Sequence, residues 1–518
     1  MPLSKKTPSP LLSLIPVGVL VGLLFVVVQL FGADTLNGAS QVVLLLSTAV
    51  CASLAVAFCG MRWKEIEQAI VKNITNVASA LLILLLIGAL SGTWMISGII
   101  PSLIYYGMRL ISPDFYLVST CAICAVVSLM TGSSWTTIAT IGIALSGIGL
   151  AQGFSPGWIG GAIISGAYFG DKLSPLSDTT NMASAVTDTP LFVHIRYLMI
   201  TTIPAITIAL IVYTVAGLSH HSTSTAEIAL FAETLKQTFH ISPWLLLVPA
   251  VMGVMIARRL PSLVVLFAAF FLACIFAMIF QPHLLGEIAT GMDGSTLLTN
   301  RNEVLSMGAS PIASMTHGVA MQFKGVMMAV FGSTQLETGH AALNELVSTR
   351  GMAGMMNTIW LIICAMCFGG AMTASGMIGS IISVFLRFMK NTLGIVASTV
   401  FSAIFFNIST GDQYLSIILT GDMYKDVYRQ KGYESRLLSR AAEDGATVTS
   451  PLVPWNTCGM TQATVLGIPT LTYLPFSFFN LLSPLMSILV AATGYKIKKS
   501  VVVSFLNQVQ DDAIIHNS

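Results

Sequence analysis

The sequence predicts an all-α integral membrane protein. It would hold two inverted repeats of five transmembrane helices, each repeat with one re-entrant hairpin and one broken helix, or about 10 crossings plus two hairpins. Three observations predict this. Of 518 residues, 55% are hydrophobic and only 9% charged. A soluble domain carries roughly 25% charged residues, so the bilayer is the solvent that can take this surface. Apolar runs long enough to cross recur along the chain. Finally, local matches recur in order at nearly constant offset. Ser97-Gly98 matches Ser375-Gly376 and Arg109 matches Arg387, both at 278. Gly132 matches Gly411 at 279, Ser174-Pro175-Leu176 matches Ser450-Pro451-Leu452 at 276, and Ile203-Pro204 matches Leu474-Pro475 at 271. Such a series points to a duplicated unit.

The elements follow in chain order. Runs 11–32, 41–60 and 77–100 open the first unit. The first follows Lys5 and Lys6 and exceeds the apolar region of a secretory signal, roughly 7–15 residues. It reads as an uncleaved helix, with a signal peptide as the alternative. Run 115–149 is interrupted by Thr131-Gly132-Ser133-Ser134. A polar, glycine-containing interruption suits a re-entrant tip whose backbone packs in protein or lines a cavity. Two plain helices are the alternative. Run 157–187 holds the first broken helix, and 194–216 closes the unit. The second unit runs through 242–258, 262–280 and 354–375, then through 393–424, interrupted by Ser409-Thr410-Gly411-Asp412-Gln413. A second broken helix at 437–466 and a final run at 470–493 complete it.

The predicted organisation is therefore a first repeat at 1–216, an outer polar linker at 217–241, a second repeat at 242–493 with an insertion at 281–353, and a tail at 494–518. An odd number of crossings per unit inverts the second copy. Charge agrees. Arg109, Lys236, Arg301, Lys324 and Arg350 fall on the outer face and Lys172 in the membrane, while all other lysines and arginines fall on the face of the N-terminus. That asymmetry places both termini in the cytoplasm. A net charge of +2 without a long basic block gives no sign of nucleic-acid binding. Cys121/Cys124 and Cys364/Cys367 form CxxC pairs inside apolar runs, so they read as packing residues. His220, His221, His283, His317 and His340 lack close metal-ligand spacing and read as surface residues.

The chemistry concentrates in Gly170–Asn181, GDKLSPLSDTTN. Ionisable residues at membrane depth are costly and mark function by default. Pro175 breaks the helix and frees backbone groups. Asp171 and Asp178 flank it, and Ser174, Ser177, Thr179, Thr180 and Asn181 add neutral oxygens. A hard cation wants several such oxygens, and a buried carboxylate can hold a proton instead, since burial disfavours its charged form. One acidic site could thus bind Na⁺ or H⁺ but not both. Lys172 is a partner ion for Asp171 or Asp178; a cap at a half-helix is the plain reading of either aspartate.

The second half offers Glu443-Asp444-Gly445, roughly where Asp171 maps, then Thr449-Ser450-Pro451 and Pro454-Trp455-Asn456-Thr457. Two nearby prolines interrupt that helix. No carboxylate stands where Asp178 maps, so the halves differ chemically. Asp412 at the second tip is a third candidate carboxylate, and Na⁺ is assigned to Asp171, Asp178 and Asp412. Glu443 and Asp444 are secondary or charge-partner positions. Asp422 and Asp426 are placed toward the cytoplasm beside Lys425 and Arg429. Asp188 is expected to cap the broken helix and His194 to lie at the interface, with pH sensing as its alternative. Trp158 is expected to anchor at the interface, and Trp135 and Trp455 to wall the cavity.

YFGDKLSPLSDTTNMA, from Tyr168 to Ala183, resembles the signature of the NhaC sodium/proton antiporter family. So do AAEDGATVTSPLVPWNTCGM (441–460) and LIGALSGTWMISGIIP (86–101), and the resemblance covers essentially the whole chain. It implies membership of the ion-transporter superfamily, with inverted repeats, two hairpins, scaffold-built homodimers and an elevator-like transport domain. The scaffold would be 1–111, with transport elements at 115–216 and 393–493. The resemblance places Asp171, Ser174, Asp178, Thr179 and Asn181 at the first break and Thr449, Ser450, Asn456 and Thr457 at the second.

The expected activity is exchange of Na⁺, with Li⁺ as a second cation, for H⁺ across a bacterial inner membrane, with no cofactor. Similar sequences exchange organic anions, such as malate for lactate, so a Na⁺- and H⁺-coupled organic-anion or amino-acid transporter is the alternative. Thr131, Ser133, Ser134, Ser409 and Thr410 would then supply anion-binding groups. No nucleophile–base pair or nucleotide loop stands out, so an enzyme is not expected. A passive channel would show flux without coupling.

Overall fold

The computed structural model describes residues 7–31, 38–219, 225–258, 260–290, 311–336, 338, 343–344, 347–386 and 389–497, without the side chains of 28, 225–229, 262, 311–317, 382, 385 and 386. Lys5, Lys6, His220, His221, Arg259, Arg301, His340, Arg387, the middle of the 281–353 insertion and the tail from 498 lie outside the described residues, as does the side chain of His317. Among the described residues every regular element is helical, apart from one isolated antiparallel bridge between Thr334 and Thr349.

The helices are α1 (Pro10–Phe31), α2 (Ala39–Cys59), α3 (Trp63–Asn76), α4 (Ala78–Ile96), α5 (Ile99–Leu110) and α6 (Tyr116–Thr131). Next come α7 (Ser134–Ala151), α8 (Pro156–Leu173), α9 (Asp178–Val186), α10 (Leu191–Leu218) and α11 (Thr225–Thr238). There follow α12 (Leu247–Ala257), α13 (Ser262–Phe280), α14 (Pro282–Thr290), α15 (Pro311–Phe331), α16 (Gly351–Ala374) and α17 (Met377–Leu386). The chain continues with α18 (Thr392–Thr410), α19 (Gln413–Gln430), α20 (Ser435–Gly445), α21 (Thr457–Leu466) and α22 (Phe478–Thr493). Among the described residues 9 helices are long and apolar enough to cross a membrane, or up to 11 if each of two bent pairs is one span.

Every predicted run is helical, with differences that have local causes. The 470–493 run bends by 57° between Thr470–Phe476 and α22, where Pro475 removes a backbone donor. Helix α3 was not expected. It is too polar to span, yet Ile66, Ile70 and Ile74 repeat every four residues among Lys64, Glu65, Glu67 and Lys72, the pattern of an interfacial helix. The linker contains α11, and the insertion contains α14 and α15, which pack on each other, with α15 also against α4. Arg440, assigned to the cytoplasmic face, is fully buried, with its guanidinium 4.7 Å from the Tyr197 ring centroid.

Helix α16 packs on α2, α3 and α4 on one side and on α18 and α21 on the other. Helix α8 packs most extensively on α6. Small residues permit this closeness, as in other membrane helix pairs. A Cβ at Gly170 would sit 2.2 Å from the Ala125 carbonyl oxygen and 2.6 Å from the Leu129 nitrogen. Gly170→Leu is therefore expected to destabilise by about 1–3 kcal/mol. It should lower the melting temperature of detergent-solubilised protein. Gly253→Leu, with nothing within 4 Å of the added Cβ, should leave that temperature unchanged.

The matched positions share local geometry. Helices α6 and α18 both end at a left-handed glycine, Gly132 (φ +66°) and Gly411 (φ +68°). Ser133 and Asp412 then cap α7 and α19 from extended backbone. Thr131 and Thr410 each accept a hydrogen bond from the backbone N–H two residues on, at 3.2 and 3.4 Å. Ser97-Gly98 and Ser375-Gly376 repeat the correspondence, with φ of +82° and +71° at the glycines.

Candidate functional site

The first break is short. Helix α8 ends at Leu173, Ser174 turns to extended backbone, and Ser177 caps α9, its hydroxyl accepting from Thr180 N–H at 3.4 Å. The break's exposed backbone finds partners nearby. Asn181 donates to the carbonyls of Pro175 (3.0 Å) and Ser177 (2.7 Å). Thr180 donates to the Lys172 carbonyl at 3.2 Å. Ser174 Oγ accepts from Leu176 N–H at 3.3 Å.

The tip at Gly132 rests on this break. A Cβ at Gly132 would lie 2.6 Å from the Leu176 carbonyl carbon, so contact and positive φ both require glycine. Ser134 then reaches Asp171. Its backbone N–H donates to Asp171 Oδ2 at 3.1 Å and its hydroxyl at 2.7 Å. Asp171 is buried, while Asp178, the first residue of α9, is exposed. Thr131 shares a hydrogen bond with Thr137 at 3.3 Å, and Ser133 Oγ accepts from Thr136 N–H at 3.2 Å.

In the second half the carboxylate is on the tip instead. Asp412 Oδ1 accepts from Leu415 N–H at 2.9 Å, and Oδ2 accepts from the Thr457 hydroxyl at 3.2 Å. Thr457 N–H also donates to the Gly411 carbonyl at 2.8 Å. Asn456 donates to the Asn407 carbonyl and side chain, both at 3.2 Å, and Asn407 donates to Thr449 Oγ1 at 3.0 Å. Ser450 donates to Gln413 at 3.2 Å, and Thr410 to the Phe406 carbonyl at 2.8 Å. The Ser409 hydroxyl is buried without a partner. A tip hydroxyl facing a break carboxylate in one half thus becomes a tip carboxylate facing a break hydroxyl in the other.

The two breaks meet. Lys172 pairs with Asp444, both fully buried, and not with Asp171 or Asp178 as expected. The physical reason is the donor set around Asp444. Lys172 also donates to Ser483 (2.9 Å), and Ser483 (2.7 Å) and Thr201 (3.0 Å) donate to Asp444, so both charges are paired and solvated by hydroxyls. Glu443 is also fully buried, and Thr179 donates to its Oε1 at 3.4 Å.

Among the other positions, His194 differs from expectation. His194 is buried, not interfacial, with Nδ1 2.8 Å from Ser439 Oγ. Asp188 pairs with Lys425, and Asp426 lies 3.9 Å from Arg429. Trp158 packs on Tyr213, Phe476 and Phe478. Trp455 donates to the Ile408 carbonyl at 2.8 Å, and Trp135 is buried near the first tip. Cys121, Cys124 and Cys364 are buried, and among the described residues no group of three His, Cys, Asp or Glu could hold a metal ion. His283 is exposed and lies 3.1 Å from Glu287.

Sequence reasoning missed Asn407, Gln413, Tyr414, Thr201 and Ser483. Tyr414 is the second residue of α19, two positions past Asp412. Asn407 carried a legible signal, a lone amide four residues before Gly411 in an apolar helix. Thr201 and Ser483 did not, since hydroxyls are common in membrane helices.

A model of the Na+/H+ antiporter family matches residues 166–300 and 295–495. The chain is similar to Na(+)/H(+) antiporter NhaC of Bacillus subtilis (strain 168), 34% identical over 448 residues, 86% of this chain and 91% of that one. It is also 34% identical to the malate-2H(+)/Na(+)-lactate antiporter of the same organism, over 84% of this chain and 85% of the relative. The arginine/ornithine antiporter ArcD of Halobacterium salinarum (strain ATCC 700922 / JCM 11081 / NRC-1) is 30% identical over 95% of this chain and 93% of its own.

Proposed function

Since the chain belongs to the Na+/H+ antiporter family, we propose that it exchanges Na⁺ for H⁺ across a bacterial inner membrane, with both termini cytoplasmic. The carrying observation is Asp171, buried at a helix break and held by Ser134, with Asp178 exposed seven residues on. In this reading Na⁺ enters by Asp178 and is enclosed by Asp171, Asp412 and the oxygens of Ser174, Thr449, Ser450, Asn456 and Thr457. A proton leaves the buried acidic cluster as Na⁺ arrives, since burial disfavours an uncompensated charge there. The tips at Gly132 and Gly411 act as re-entrant hairpins of two inverted repeats, which the shared cap geometry supports. Transport elements 115–216 and 393–493 move together, elevator-fashion, against scaffold helices in a homodimer.

The test is proton flux followed by dye quenching in proteoliposomes, with Na⁺, Li⁺ and K⁺ supplied in turn. Flux driven by Na⁺ supports the reading, and flux indifferent to the cation overturns it. Asp178→Asn is expected to weaken apparent Na⁺ affinity about tenfold, or ~1.4 kcal/mol, measured as the Na⁺ concentration giving half-maximal flux. Unchanged flux would remove Asp178 from the site.

A second reading has its own support in the malate/lactate relative and in the tip hydroxyls. Here an organic anion or amino acid travels with the cations, held by Thr131, Ser133, Ser134, Ser409 and Thr410. Counterflow of labelled malate, lactate or arginine separates the two readings.

A further inference from the structure

Buried ionised carboxylates require several donors or a counter-ion. Among the described residues the fully enclosed acids are Asp171, Asp412, Glu443 and Asp444. Asp171 receives two donors from Ser134, Asp412 receives Leu415 N–H and Thr457, and Asp444 holds Lys172, Ser483 and Thr201. Glu443 stands apart. Its Oε1 accepts one long bond from Thr179, and its Oε2 makes no hydrogen bond of good geometry, the hydroxyl of Thr447 one turn on being likewise unpartnered. An ionised side chain in that setting would leave most of its lone pairs bare, whereas the neutral acid needs far less.

We propose that Glu443 is the proton-carrying group of the exchange, separate from the carboxylates that hold Na⁺. The bonding fits the neutral form, with the proton on Oε2 and Oε1 accepting from Thr179. Thr179 shares a 3.0 Å hydrogen bond with Ser177, the residue capping α9 at the mouth of the break. Rotation of the carboxyl group turns its O–H toward Thr179. The Glu443 proton then passes to Thr179 Oγ1, the Thr179 proton to Ser177 Oγ, and the Ser177 proton to water at exposed Asp178, leaving both hydroxyls neutral and Glu443 charged. Na⁺ arriving at Asp171 meets that new negative charge nearby.

The elements packed on α20, and α8 through the Lys172–Asp444 pair, carry other charged or titratable groups. Asp171 and Lys172 come from α8, Asp178 from α9, His194 and Tyr197 from α10, Tyr424 and Tyr428 from α19, and Arg440 and Asp444 from its own helix. Lys172 is committed to Asp444, and α18 and α22 contribute neutral Asn407 and Ser483.

This inference rests on the antiport reading, and the experiment separates the two. Glu443→Gln mimics the neutral acid. Full-length variant and wild type are compared in proteoliposomes for Na⁺-driven proton flux and for ²²Na⁺/Na⁺ counterflow. The expected result is a fall of ~100-fold or more in proton flux with counterflow retained. Thr179→Val, which keeps the acid and cuts the relay, should slow proton flux and spare counterflow. Glu443→Asp should restore part of the flux. Retained proton flux in Glu443→Gln, or loss of counterflow as well, overturns the proposal. If Glu443→Gln fails to fold, a Thr179→Val with wild-type proton flux overturns it. Absence of Na⁺-driven flux in wild type would instead sink the antiport reading itself.

Discussion

Asp171→Asn is expected to abolish Na⁺-dependent proton flux while leaving the protein folded. Asparagine is the same size, and its amide oxygen can still accept from the Ser134 hydroxyl and N–H. What disappears is the charge. A monovalent cation in a site of low polarity depends on a carboxylate for much of its binding energy. A loss of at least ~2.7 kcal/mol corresponds to about 100-fold in affinity. Flux by dye quenching and Na⁺ binding by thermal shift give the two readouts. A variant that melts at the wild-type temperature, carries no Na⁺-driven flux and no longer gains stability from Na⁺ fits the assignment. One that still exchanges Na⁺ for H⁺ at the wild-type rate refutes it.

Asp444→Asn is expected to be damaging for a different reason. It leaves the Lys172 ammonium fully buried with Ser483 as its neutral partner. Removing one member of a buried pair typically costs about 3–5 kcal/mol, because the remaining charge is stranded. The expected outcome is loss of monodisperse protein on size exclusion, or a large drop in melting temperature. Replacing both residues, as in Lys172→Met with Asp444→Leu, should recover most of that stability, since a buried pair is often no better than an apolar one. The double-mutant cycle isolates the coupling. Additive effects of the single changes would mean that the pair does not hold the breaks together.

Much of the fold was legible because the bilayer imposes its own grammar. Apolar runs, the polar interruptions at 131–134 and 409–413, and the prolines at 175, 451 and 454 all mark real ends of helices. Helix α3 was hidden because a search for spans passes over amphipathic segments, and α14 and α15 because the insertion lacks a long uninterrupted apolar run.

The site was legible residue by residue but not pair by pair. Asp171, Asp412 and Thr457 could be named from the sequence, yet nothing in it shows that Ser134 faces one and that the other two face each other. Lys172 is the sharpest case. Its neighbours in sequence are Asp171 and Asp178, but its partner lies 272 residues away. Pairing across such a distance is fixed by packing of both α8 and α20 against α22, which spacing along the chain cannot reveal.

Asp412 has two oxygens with two separate duties: one ends a helix and the other clasps the opposite break. A visitor that takes the clasping oxygen releases Thr457 and leaves the helix start untouched. One that takes the capping oxygen frays the helix and leaves the clasp closed. The two oxygens are thus anchored to different parts of the fold, so a change at one need not disturb the other.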